Sequence, residues 1–181
     1  MAVTITNLIQ GPARLLIGDV GATEPTYADS ADGVGFTDLG GTQDGVTLTV
    51  DLTFAELSVD QLVDVPGQTL VKRMAKIATN LAEATLENWA LALNDADPVS
   101  SAFEPTYGSG AFTPTYKALL LRGIGPNGGP RDVVLRRALQ IGSPGSAYKK
   151  DGQTLIPVEF SAHYVSSVIA PFKINEALDP S

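Results

Sequence analysis

The residues able to do chemistry in this 181-residue chain are few and scattered. His163 is the single histidine, so it alone carries an ordinary pKa suited to proton transfer near neutrality. It shares the polar positions of an alternating segment with Pro157, Glu159 and Ser161, which predicts the wet face of a strand. No serine elbow accompanies it, so no Ser-His-Asp site is supported locally. The absence of cysteine excludes disulfides, thiolate metal sites and a cysteine nucleophile. GIGPNGGP (123–130) has the glycines of a phosphate-cradling loop. It lacks the Lys-Ser/Thr pair and does not open a helix, so a hairpin turn accounts for it better. Asp29 and Asp32 lack the regular spacing of a calcium loop. Arg136-Arg137 and Lys149-Lys150 are too few, and too poorly interleaved with aromatics, for a nucleic-acid platform. The expectation is no catalytic residue, no cofactor and no metal.

Composition bounds what else the chain can be. A hydrophobic content of 44% against 18% charged residues argues for a folded chain with a proper core, most simply one domain over 1–181. The N-terminus lacks a basic region followed by a continuous apolar run, so it does not read as a signal peptide. No window approaches the length of apolar sequence that spans a membrane. The net charge of −8 is unevenly spread: residues 1–64 hold ten acids and the single base Arg14, whereas residues 65–181 are close to neutral. That balance disfavours general affinity for a phosphate backbone. It serves solubility in one reading, and complementary patches between copies in another.

The positioning elements centre on residues 45–94. Val46, Leu48, Val50, Leu52 and Phe54 alternate with Thr47, Thr49, Asp51 and Thr53, the period of a strand with one dry face. This segment is the best sequence candidate for a central strand. Residues 56–65 continue the alternation, and Pro66-Gly67 makes a good turn pair. Residues 68–81 are ambiguous. Val71, Ala75, Ile77, Thr79 and Leu81 fit a strand, while Leu70, Met74, Ile77 and Leu81 fit an amphipathic helix, which local sequence slightly favours. A helix is expected over 82–94, with Asn80 and Glu83 as a capping box, a stripe of Ala82, Leu86, Trp89, Ala90 and Leu93, and Trp89 as core anchor.

Elsewhere, residues 1–11 read as a terminal arm, 13–19 as a short strand, and the region near Phe36 as another. Residues 116–124 and 131–141 should form a hairpin around GPNGGP. Residues 156–164 alternate as a further strand, and 168–174 as the last. The residues alone therefore predict a glycine-punctuated, mainly β (α+β) chain with one helix and no evident active site.

Several segments also resemble one family in order. GPARLLIGDVGATEPT (11–26), FTDLGGTQDGVTLTVDLTFAELSVDQLVDVPG (36–67), LAEATLENWALALN (81–94) and IPVEFSAHY (156–164) look like the major tail tube proteins of long-tailed bacteriophages. The likeness includes the V-D-Q segment at Val59, Asp60 and Gln61 and spans roughly residues 11–165. It implies an antiparallel β-sandwich or barrel-like domain with one flanking helix and a long extended hairpin arm over 45–81. It therefore favours a strand over 68–81. It implies hexameric rings stacked into a hollow tube that conducts DNA without binding it specifically. The implied partners are further copies of the chain, a tape measure protein, and tail terminator and tail tip proteins. The implied location is the virion, with assembly in the bacterial cytoplasm. By the same likeness, Glu56, Asp60, Gln61, Asp64, Pro66, Gly67, Lys72 and Arg73 are candidate contact residues of the arm. The inner tube of a contractile or secretion-like injection device shares that fold and stays open as an alternative, as does, from another class, a β-sandwich ligand-binding module.

Overall fold

The computed structural model describes residues 8–26, 33–61, 63–98, 100–108 and 113–176, and within them the chain is mainly β. Asp29 and Asp32 lie outside the described residues. Eight strands are described: β1 (Arg14–Thr23), β2 (Val34–Asp38), β3 (Thr42–Leu57), β4 (Gly67–Leu81), β5 (Lys117–Ile124), β6 (Pro130–Gln140), β7 (Ile156–Ala162) and β8 (Phe172–Glu176). One α-helix, α1 (Leu86–Ala92), follows β4. Every pairing is antiparallel, in the order β2-β1-β5-β6-β7-β4-β3. One edge of β6 carries β5, and its other edge is shared by β8 along Arg131 to Leu135 and β7 along Ala138 to Gln140.

Alternation decides which side of this sheet is dry. Leu15 on β1, Leu119 and Leu121 on β5, Val133 and Leu135 on β6, Ile156, Val158 and Phe160 on β7, and Ala75, Ile77 and Leu81 on β4 join one buried cluster. Leu16, Leu120 and Val134, one position out of phase, form a second small cluster with Phe36 on the opposite face. The β1–β5–β6 strip is therefore buried on both sides, which explains its nearly continuous apolar runs. Each large apolar side chain so buried stabilises the fold by about 1.5–3 kcal/mol relative to exposure.

The two terminal strands of the sheet, β2 and β3, are consecutive in the chain and joined only by Leu39, Gly40 and Gly41. A three-residue link between opposite ends forces the sheet to curl into a barrel-like layer. Side chains clamp this corner. Asp38 Oδ1 accepts from the Gly40 N–H at 3.0 Å, and Glu83 Oε1 from the Gly41 N–H at 2.9 Å. Leu39 N–H donates to the Leu15 carbonyl at 3.0 Å. Gly40 has φ 87°, and a Cβ there would strike the Glu83 carboxylate, so this position requires glycine.

Four expectations about local structure change. Glu83 does not cap α1, because its carboxylate is committed to the corner. Thr85 is the N-cap, its hydroxyl accepting from Asn88 N–H at 3.2 Å. The helix is correspondingly shorter than 82–94, and its buried residues are Asn88, Ala90, Leu91 and Ala92, with Trp89 packed against the core and Leu86 and Leu93 exposed. Second, β3 begins at Thr42, and Asp44-Gly45 forms a bulge inside it, both residues with positive φ. Asn80 Nδ2 donates to Asp44 Oδ2 at 3.0 Å and Thr79 Oγ1 to the Gly45 carbonyl at 2.9 Å, fixing the bulge. Third, β3 is a terminal strand of the sheet, because among the described residues β4 alone pairs with it. Fourth, the last strand starts at Phe172: Ser166 Oγ accepts from the N–H groups of Val168 and Ile169, turning the chain before it.

Asn88 is the buried link between helix and corner. Its Nδ2 donates to the carbonyl of Glu83 at 2.8 Å and of Leu39 at 3.4 Å. Asn88→Ala leaves those carbonyls unpaired and should cost about 1–3 kcal/mol, read from the midpoint of urea unfolding; an unchanged midpoint would show that the corner does not need it.

Candidate functional site

The outstanding surface is the far half of the β3–β4 hairpin. The ladder runs from Thr42↔Leu81 to Leu57↔Gly67, but β7 accompanies β4 only from Lys76 to Leu81. Beyond Ala75 the two strands continue without a sheet neighbour among the described residues. From Val50 to Leu57, at about 3.3 Å per residue, they project roughly 25 Å. The segment 68–81 is thus extended, as the family likeness implied and against the helical stripe. Helix periodicity loses because β3 and β7 offer its base a hydrogen-bonded ladder on both edges.

One face of the hairpin explains the interest. At the base, Ile77 is wholly buried and Val46 and Leu48 pack on the core. The same face continues outward as Val50↔Ala75, Leu52↔Arg73 and, after a bulge at Val71, Phe54↔Leu70. Val50 is 38% exposed, Leu52 51%, Phe54 51% and Leu70 45%. The pattern of a buried strand therefore persists where none of the described residues buries it. These four residues were not singled out as site residues by sequence reasoning; the signal was the unbroken alternation itself, read there as evidence of a central strand.

The shank of the arm is tied at its root. Lys76 Nζ bridges Asp51 on β3 at 3.1 Å and Glu159 on β7 at 3.3 Å. Its pKa is raised, first by the hydrogen bond to Asp51 and then by that to Glu159. Arg73 lies over the Phe172 ring at 5.7 Å, a cation–π contact joining the arm to β8.

The candidate contact residues all map to this arm. Glu56 pairs across from Gln68, Gly67 opens β4 opposite Leu57, and Lys72 stands opposite Thr53. Asp60, Gln61, Asp64 and Pro66 lie in the tip connection, exposed together with Val59, Val63 and Val65. The expected strand over 56–65 and the two-residue turn at Pro66-Gly67 are corrected. β3 stops at Leu57, and its partner is already Gly67, so the intervening residues are the connection and have no strand to pair with. Pro66 has no N–H to give a ladder.

The sequence-level charge split does not become a spatial split. Asp19 pairs with Lys117 at 2.9 Å, Asp38 with Arg14 at 2.8 Å, Asp51 with Lys76, and Glu24 with Arg136. Four acids of the acidic stretch are thereby neutralised inside the subunit. Among the described residues no cation lies within ion-pair distance of Glu56, Asp60 or Asp64 at the arm's end. A cleft of about 490 Å³ beside α1 is lined by Asp19, Asp38, Glu83 and Lys117 among others, but these groups are already engaged with one another or with the corner. Among the described residues no cluster of carboxylates or histidine is arranged to hold a metal ion.

His163 departs from its expected place. It follows β7 instead of lying on a solvated strand face, and its ring meets Tyr116 edge-on at 5.5 Å, while Arg137 stacks on the other ring at 4.0 Å. Its Nε2 is buried without a hydrogen-bond partner among the described residues. Desolvation, and then the Arg137 charge, lower its pKa below 6.5. Neither a model of any protein family nor any curated protein matches this sequence.

Two outcomes follow from this geometry. Ile77→Ala should cost about 2–5 kcal/mol of stability, whereas Leu52→Ala, on the same face of the same hairpin, should change the isolated subunit by less than about 0.5 kcal/mol. Equal costs in chemical denaturation would contradict a projecting arm. The unfolded chain also binds a proton at His163 more tightly than the folded chain does. Stability is therefore complete above pH 6.5 and declines as pH falls through that value. His163→Phe should flatten that part of the thermal-stability profile, and an identical acid limb in the variant would exclude His163 as its cause.

Proposed function

We propose that this chain is a structural protein that associates with further copies of itself, with the projecting hairpin as its principal contact. Within that class, we propose a major tail tube protein of the long-tailed bacteriophage type. Its subunits would close into rings that stack into a hollow conduit for DNA around a tape measure protein, bounded by terminator and tip proteins in the virion. The observation that carries the reading is the arm: a dry face of Val50, Leu52, Phe54 and Leu70 that the described residues leave exposed. Contiguous apolar surface rimmed by polar residues marks an interaction site. The edge of β3 that no described strand pairs supports the same reading, since a long unpaired edge strand is a template for another chain, and pairing in a ring removes it. The sequence segments 11–26, 36–67, 81–94 and 156–164, in that order along the chain, supply the family likeness.

Negative-stain microscopy of the purified chain, alone and co-expressed with its tape measure protein, should show rings or hollow tubes. Replacing residues 53–72 with Asn-Gly would join Leu52 to Arg73 through a tight turn while keeping the base of the hairpin. That variant should stay folded by circular dichroism yet form no tubes. Normal tubes from the shortened chain, or a wild type that stays monomeric in every assembly condition, would refute the proposal.

A further inference from the structure

The acidic tip and one exposed basic turn lie at opposite ends of β4. The tip joins β4 at Gly67, where Glu56, Asp60 and Asp64 stand exposed with Leu57, Val59 and Val65. At the other end Leu81 pairs with Ile156, and the segment leading into Ile156 carries Tyr148, Lys149 and Lys150. Tyr148 is 82% exposed and both lysines are exposed. Among the described residues no carboxylate forms an ion pair with either lysine. The turn is nonetheless fixed in place. Lys149 and Gly152 form a bridge, Ser146 Oγ donates to the Leu155 carbonyl at 3.0 Å, and Gln153 Nε2 donates to the Ala82 carbonyl at 3.1 Å.

We propose that the tip of one copy seats on the Tyr148-Lys149-Lys150 turn of the next, head to tail. This rests on the self-assembly reading and names the receiving surface. Opposite charge at opposite ends of a strand roughly 45 Å long, at about 3.3 Å per residue, favours a heterologous contact that repeats by translation along the strand direction. Tyr148 offers an aromatic surface for the tip's Leu57, Val59 and Val65, with the lysines meeting its carboxylates at the rim. Asp151 in the same turn confines the attraction to the two lysines beside it. The competing seat is the shank of another arm, where two copies would pair about a two-fold axis. It is the weaker match: Arg73 already lies over Phe172, leaving Lys72 as the ammonium on offer.

The test uses the full chain, with light scattering and negative-stain microscopy at low and high salt, and circular dichroism to establish that each variant is folded. Lys149→Glu with Lys150→Glu should raise the concentration needed for assembly roughly tenfold, as should Glu56→Lys with Asp60→Lys and Asp64→Lys. Combining the two sets should restore assembly toward wild type. High salt should weaken wild-type assembly in the same direction. If wild type assembles but reversal of the turn has no effect, or the combination does not rescue, self-association stands and this seat is wrong. Rescue of the tip reversal by Lys72→Glu in place of the turn substitutions would identify the arm-on-arm dimer and overturn the proposal. A wild type that never assembles refutes the underlying reading itself.

Discussion

The constraint on which the rest depends is the three-residue link from β2 to β3. Leu39, Gly40 and Gly41 connect strands that stand at opposite ends of the hydrogen-bonded order, so an open, flat sheet is ruled out by chain length alone. Curling brings Leu15, Ile77, Leu119, Leu135 and Phe160 into one interior. It also fixes α1, because the groups that hold the corner, Glu83 and Asn88, come from the helix's first turns and the residues before it. At the far end of α1, Asn94 reaches β6: its Nδ2 donates to the Gln140 carbonyl and its Oδ1 accepts the Gln140 N–H, both at 2.7 Å. That side-chain amide completes a backbone pairing in the manner of a strand residue. The helix is thus strung between two fixed points, and seven residues suffice.

The legible parts of the fold were those where local pattern and tertiary pairing agree. Alternation at Val46 to Phe54 and at Ile156 to Phe160 marks real strands, and GPNGGP is a real hairpin connection, with a 3₁₀ turn at Pro126–Gly128. Glu83 was misread because an acidic residue three positions after Asn80 satisfies the capping-box pattern, while the Gly41 N–H that captures it lies 42 residues away. Residues 68–81 show the same limit from the other side. Leu70, Met74, Ile77 and Leu81 would line a helix, yet the ladder to β3 over the whole segment outweighs so small a difference in local preference. The arm's residues were legible as a group, but its central fact was not. Alternation reports which face is apolar and is silent about whether anything covers it.

Charge behaves similarly. A stretch with ten acids and one base suggests an acidic lobe, yet strand pairing interleaves distant segments and brings Lys117, Arg136 and Lys76 to Asp19, Glu24 and Asp51. Arg122 and Asp132, on neighbouring strands, make a largely buried bidentate pair at 2.8 and 2.9 Å, the geometry in which a guanidinium and a carboxylate match best. What survives this cancellation is local. Glu56, Asp60 and Asp64, for which no described residue supplies an ion-pair partner, stand together at the end of the arm.

On the proposed reading, that apolar and acidic surface is what a further copy would cover. A soluble hairpin extended into water keeps its register best when both faces are polar or one face is buried. Here the register is held at the root by Lys76 between Asp51 and Glu159 and by Arg73 on Phe172, so the arm is aimed even though no described residue covers its apolar face. Aiming has no value to an isolated subunit, since the exposed pairs Leu52↔Arg73 and Phe54↔Leu70 gain nothing from pointing in a fixed direction. It has value when a second copy must meet the same surface at the same angle each time, because order already present in the free subunit need not be lost on association.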